Sequence, residues 1–148
     1  MKSQHLNIEE IKKIIPQREP FLFVDEIIEV VPYKSVIGKK TFFGTEDFFK
    51  GHFPGIPVLP GVIIVETVAQ ISSFIVLIDE VGKNLIGLFA GIEKFRFIKR
   101  VTPAATLTVK ATLLSYRHNL ARSEGKVFVN ENLSAEGIVS AFFVSKEA

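Results

Sequence analysis

His52 and Glu66 are the two side chains whose types and settings suit the movement of protons. His52 stands in Gly51-His52-Phe53-Pro54-Gly55-Ile56-Pro57-Val58-Leu59-Pro60-Gly61, with glycines and prolines on both sides. Proline fixes φ and glycine permits unusual φ, so this loop follows a stiffly specified path. It can hold an imidazole in one orientation at small entropic cost, and histidine titrates where proton transfer near neutrality needs it. Glu66 falls in an otherwise apolar stretch, where a charge is costly unless paired or protonated. Desolvation is expected to raise its pKa, as a general acid requires. Gln70 follows at i+4, so its amide can reach the Glu66 carboxyl. Gly61 lies at or near a first helical turn; its N–H points along the positive end of the dipole, and a ligand oxygen can come close. A base, a raised-pKa acid and an oxyanion donor are the parts needed to take a proton beside a carbonyl and expel a β-leaving group. Taken singly, each has a plainer reading: a satisfied loop histidine, an ion-paired glutamate, an ordinary turn. Their grouping between Gly51 and Gln70 is what points to chemistry.

The elements around them follow from local patterns. Asn7 to Ile15 reads as a short helix, with Asn7 as N-cap, Glu10 at the capping-box position, and Ile8, Ile11, Ile14 and Ile15 on one face. Pro16 ends it. Phe21 to Val31 is rich in β-branched and aromatic residues and reads as a strand, followed by a turn at Pro32-Tyr33-Lys34 and a second strand from Ser35 to Phe43. Gly44 to Pro60 reads as loop, and Gly61 to Glu80 as a helix roughly 30 Å long. Ile86 to Lys99 is a long strand-like run. Thr106 to Leu113 alternates, with Leu107, Val109, Ala111 and Leu113 on one side and Thr106, Thr108, Lys110 and Thr112 on the other, the pattern of a half-buried antiparallel strand. Leu120 to Val129 and Leu133 to Val144 are two more strands, joined through Asn130-Glu131-Asn132. A helix apolar on nearly all sides must be covered nearly all round, so one antiparallel sheet wrapped around one central helix, an α+β arrangement, is the economical solution.

Composition narrows the classes. The 148 residues suit one domain, residues 1–148, and at 47% apolar content a sizeable core can form. There are fourteen Phe and no Trp, a choice that suits dry cavities as well as cores. No cysteine is present, which excludes disulfides, thiol nucleophiles and thiolate metal sites and fits a reducing, cytoplasmic setting. His5, His52 and His118 show no ligand spacing, so no metal or cofactor is expected. Met1 to Glu10 is polar and carries no signal-peptide core. The net charge of +2 is too small for nucleic-acid binding. Val58 to Ile78 has the length of a membrane span, but Glu66, Gln70, Ser72 and Ser73 in its middle argue against insertion.

The segment Gly51 to Gln70, GHFPGIPVLPGVIIVETVAQ, resembles the signature of the 3-hydroxyacyl-acyl carrier protein dehydratases of fatty acid synthesis. Ile15 to Asp25 resembles that family's N-terminal motif, and Phe89 to Phe97 its strand after the central helix. The resemblance implies a hot-dog fold and a hydro-lyase activity that needs no cofactor, with acyl carrier protein and its phosphopantetheine-linked substrate as partner. It also implies a homodimer, often a trimer of dimers, whose active site takes His52 from one chain and Glu66 from the other. By the same resemblance the Val58 carbonyl would accept from the second nitrogen of His52, the Gly61 N–H would bind the thioester oxygen, and Gln70 and Phe53 would help to bind substrate. Gln17 stands where many members have His, and Pro103-Ala104-Ala105 where a Pro-Gly-Asp turn is common. Glu rather than Asp at position 66 is closer to the branch that dehydrates without isomerising.

Lys94, Arg96, Lys99 and Arg100 form a basic run that reads either as a solvated strand edge or as a docking patch for the acidic carrier protein. Alternation along a strand would put Lys94 and Arg96 on one face and Lys99 on the other. Two other functions share features of this sequence. A hot-dog thioesterase would use a carboxylate to activate water and has no evident need of His52 in its loop. A non-catalytic acyl-binding regulator would need a DNA-binding element, for which the chain has no spare length.

Overall fold

Asn7 caps the first helix through a reciprocal pair of bonds: its side chain accepts from the Glu10 N–H at 2.9 Å, and the Glu10 carboxylate accepts from the Asn7 N–H at 2.9 Å. The computed structural model describes residues 3–147, so Met1 and Lys2 of the polar N-terminus, and Ala148, lie outside the described residues. The chain order is β1 (Gln4–Leu6), α1 (Ile8–Ile14), β2 (Glu26–Val31), β3 (Ser35–Phe42), α2 (Phe48–Gly51), α3 (Gly61–Leu77), β4 (Leu85–Phe97), β5 (Ala105–Arg117), β6 (Leu120–Val129) and β7 (Asn132–Ser145). The strands form one antiparallel sheet in the order β1-β2-β3-β5-β6-β7-β4, with α3 against one face. This is the hot-dog arrangement, and four strands follow the long helix as the sequence pattern implied.

Three local readings need correction. Phe21 to Asp25 is not strand. The Phe23 N–H donates to the Gln70 side chain at 2.8 Å, and the Phe21 carbonyl accepts from it at 3.0 Å, so these backbone groups are satisfied by the central helix instead of by a ladder. The expected loop from Gly44 to Pro60 contains the single turn α2. β1 is too short to leave a periodic signal; it pairs with β2 through Gln4 and Leu6. Elsewhere the patterns hold. In β5, Leu107, Val109 and Ala111 are buried while Thr106, Lys110 and Thr112 are exposed. The β5–β6 and β6–β7 hairpins turn through residue pairs at positive φ, His118-Asn119 and Asn130-Glu131, the backbone that matches the twist of the flanking strands.

The central helix sits deep because the sheet makes room for it. A Cβ at Gly125 would lie 2.5 Å from the Val68 side chain, and one at Gly38 would lie 2.9 Å from that of Ile71. Val68, Ile71, Phe74 and Ile75 are fully buried. At about 1.5–3 kcal/mol for each such side chain, their burial outweighs the few kcal/mol that one partly buried carboxyl at Glu66 costs. No helix among the described residues is long and apolar enough to cross a membrane.

Candidate active site

The loop that carries His52 is held by its own main chain. The Phe53 and Ile56 backbones exchange bonds of 2.9 and 2.8 Å, the Val58 N–H donates to the His52 carbonyl at 2.8 Å, and the Leu59 N–H reaches across to the Val101 carbonyl at 2.7 Å. The imidazole is fixed on two sides. Its Nδ1 lies 2.8 Å from the Val58 carbonyl, and the Phe53 ring stacks on it with centroids 4.1 Å apart. A carbonyl only accepts, so Nδ1 carries the proton of the neutral ring and Nε2 is left with a free lone pair. Half-exposed Phe53 thus packs on the imidazole and is not among the residues that line the cavity in front of it.

That cavity is lined by His52, Val58, Gly61, Phe97, Lys99 and Arg100, among others. Gly61 is the first residue of α3, after Pro60 as N-cap, and no side chain caps this end. A Cβ at position 61 would lie 3.0 Å from the Phe97 ring. Glycine thus fits under Phe97 without displacing the ring, and its N–H lies at the positive end of the helix dipole. Phe97 is a residue that sequence patterns did not single out. Its role rests on a contact between β4 and the start of α3, which leaves no local signal.

Glu66 lies one and a half turns further along α3 and lines a different cavity, together with Gln17, Gln70, Ser73, Leu77 and Phe89. Its carboxyl accepts from the Gln70 amide at 2.8 Å. Burial raises its pKa above the usual carboxylate range, and the Gln70 bond opposes part of that rise. No cation pairs with it among the described residues, so the ion-paired alternative for this glutamate does not hold. Gln70 is itself buried and spends its amide on Phe21, Phe23 and Glu66, which locks the carboxyl's neighbour in place.

One chain thus presents His52 with Gly61 in one cavity and Glu66 with Gln70 in another, with no hydrogen bond between the two groups among the described residues. The four basic residues also separate. Lys99 and Arg100 line the His52 cavity. Arg96 bonds to Glu136 across the ladder. β4 bulges between Glu93 and Arg96, where Glu93 pairs with Ile138 and Arg96 with Glu136 and Lys94 has φ +50°, and Lys94 and Arg96 are both exposed. Among the described residues no cluster of His, Asp or Glu has the geometry of a metal site.

Comparison with known proteins extends these observations. Residues 15–137 match the family model of a FabA-like domain. The chain is 43% identical over 141 residues to the 3-hydroxyacyl-[acyl-carrier-protein] dehydratase FabZ of Clostridioides difficile, covering 95% of this chain and 99% of that protein. It is 39% identical over 137 residues to the protein of the same name from Syntrophomonas wolfei, covering 93% and 95%. Among solved structures it is similar to the dehydratase heterocomplex ApeI:P of Xenorhabdus doucetiae, with a TM-score of 0.74 at 17% identity over 93% of this chain and 92% of that one, a likeness of fold.

Proposed function

The chain belongs to the FabA-like family as a FabZ-type 3-hydroxyacyl-[acyl-carrier-protein] dehydratase, and from that premise we propose how its residues divide the reaction. The enzyme removes water from 3-hydroxyacyl-acyl carrier protein to give the trans-2-enoyl product of fatty acid biosynthesis. His52 Nε2 takes the proton from C2 of the thioester. The Gly61 N–H, at the open end of α3, stabilises the negative charge that develops on the thioester oxygen. The neutral Glu66 carboxyl gives its proton to the 3-hydroxyl, which leaves as water while the C2–C3 double bond forms. Val58 sets the imidazole tautomer, Phe53 braces the ring and Gln70 orients the acid.

The observation that carries this reading is the separation of His52 and Glu66 into two cavities of one chain. A site that needs both is completed by a second copy. β4 supports this. Among the described residues it ends the sheet, pairs with β7 alone, and exposes Leu88, Phe89 and Ile92 along thirteen residues. A long apolar edge of this kind calls for a partner. The catalytic unit is then a homodimer joined along β4, with three dimers assembled as the resemblance implies. Each chain contributes one hot-dog domain over residues 1–148, working in the cytoplasm, where Lys99 and Arg100, together with Lys94 and Arg96, receive the acidic carrier protein.

The test mixes two inactive proteins, His52→Ala and Glu66→Gln, and follows enoyl formation from a 3-hydroxyacyl thioester. Random exchange between twofold-symmetric dimers gives one intact site in each mixed dimer, so recovery should approach about a quarter of wild-type activity. No recovery after verified subunit exchange would place both residues in one chain's site. Release of free thiol without enoyl formation would favour the thioesterase alternative.

A further inference from the structure

One wall of the Glu66 cavity is a single stripe of α3. Glu66, Ala69, Gln70, Ser73 and Leu77 all line it, and their spacing of three and four residues sets them on one helix face. Leu77 comes about three full turns after Glu66, so it stands almost in line with the carboxyl, roughly 16 Å further along the axis. Ala69 and Ser73 between them are small, and the facing residues Ile15, Gly87 and Ala141 are apolar. In one chain this is a narrow slot with room for about 30 Å³. It is bordered by Phe89, 44% exposed on the β4 edge assigned above to the second copy.

The slot ends at Leu77, whose side chain is 3% exposed. Leu77 also lines a separate cavity of about 280 Å³, together with Lys13, Glu80, Asn84 and Lys146. One buried leucine is thus common to a largely apolar slot and a charged space.

We propose that Leu77 closes the far end of the acyl channel and so sets the longest 3-hydroxyacyl chain that the enzyme handles efficiently. The inference rests on the proposed roles of His52, Gly61 and Glu66. With the thioester oxygen at the Gly61 N–H, the thioester end points into the cavity that carries Lys99 and Arg100. With the 3-hydroxyl at Glu66, the carbons beyond C3 are left with the slot along α3, roofed by the second copy. A chain that just fits ends against Leu77 and gains from burying its apolar end there. A longer chain has to push aside a close-packed leucine or bend back on itself, and either weakens binding.

The experiment measures kcat/KM for carrier-free 3-hydroxyacyl thioesters graded in chain length. Wild type, Leu77→Ala and the milder Leu77→Val are compared, each verified as folded by thermal unfolding. Wild type should lose efficiency once the extended chain outgrows the roughly 16 Å between Glu66 and Leu77. Leu77→Ala should raise the long-chain to short-chain ratio of kcat/KM on the order of ten-fold, the usual worth of a methylene or two in an apolar pocket. Leu77→Val should raise it less. A wild type that shows no fall with length, or a ratio unchanged in the folded variants, would overturn the channel end alone. A loss of equal size at every length would make Leu77 a packing residue and overturn it likewise. Glu66→Gln on a short-chain thioester guards the premise. If that variant dehydrates it as well as wild type, the assignment of Glu66 falls and the channel end with it.

Discussion

His52 and Glu66 are positioned by opposite means. The His52 loop is held almost wholly by main-chain bonds, at Phe53, Ile56, Val58 and Leu59, and its side chain adds one bond to the Val58 carbonyl. Glu66 sits on a rigid helix, but its surroundings are held by one side chain, that of Gln70, reaching back to residues 47 and 49 positions away in sequence. A base needs an open lone pair and access to substrate, so a half-exposed loop braced by its backbone serves it. Glu66 is partly desolvated, and burial raises its pKa above the usual carboxylate range. Changes at the two places should therefore separate activity from stability differently.

The largest effects test that contrast directly. His52→Ala and Glu66→Gln should each lower kcat by at least ~10²-fold, the usual contribution of a proton-transfer group. Their stabilities should diverge. His52→Ala loses one part-buried bond, worth about 1 kcal/mol. Glu66→Gln should show no such loss, and its advantage should grow with pH. Because burial raises the Glu66 pKa in the folded state, folding takes up a proton between the unfolded value and the raised folded one. Wild type should then lose stability as pH rises through that window, whereas Glu66→Gln should not. Parallel stability–pH curves for the two proteins would remove the claim that burial raises the Glu66 pKa.

A smaller effect is expected at Gln70. Gln70→Leu keeps the bulk but leaves the Phe23 N–H and Phe21 carbonyl without their partner, at about 1–3 kcal/mol for each group that stays buried. It also removes the only bond that opposes the rise in the Glu66 pKa, so the alkaline limb of kcat should move to higher pH. A loss of stability with no movement of that limb would make Gln70 a packing residue and no more.

The smallest effect concerns docking. Lys99→Glu with Arg100→Glu should raise KM for carrier-linked substrate more than for a carrier-free thioester, and the difference should shrink with salt, since exposed charges are screened over roughly 8–10 Å. Arg96→Glu should do less, because Glu136 already engages Arg96. An equal loss on both substrates would assign the cluster to the fold or the acyl channel.

Much of this molecule is legible along the chain. The capping box at Asn7, the alternation of β5, the apolar run of α3 and the turn at Asn130 all depend on residues within a few positions of one another, where backbone geometry leaves few choices. The chemical types at the site are legible for the same reason: a histidine between glycines and prolines, and a glutamate with a glutamine at i+4. The misreadings share a different cause. Phe21 to Asp25 has the composition of a strand, yet its backbone groups are claimed by Gln70. The register of β4 beyond Glu93 shifts at a bulge that no local pattern announces.

The sequence alone determined which groups are candidates for proton chemistry, because residue type and short spacing settle charge and helical face. Only the tertiary structure decided how they are deployed. It put His52 and Glu66 in separate cavities, set Phe97 over Gly61 and gave Arg96 its carboxylate. Each of these depends on which strand lies beside which and in what register. That choice is made by the packing of the whole sheet around α3, and no window of neighbouring residues contains it.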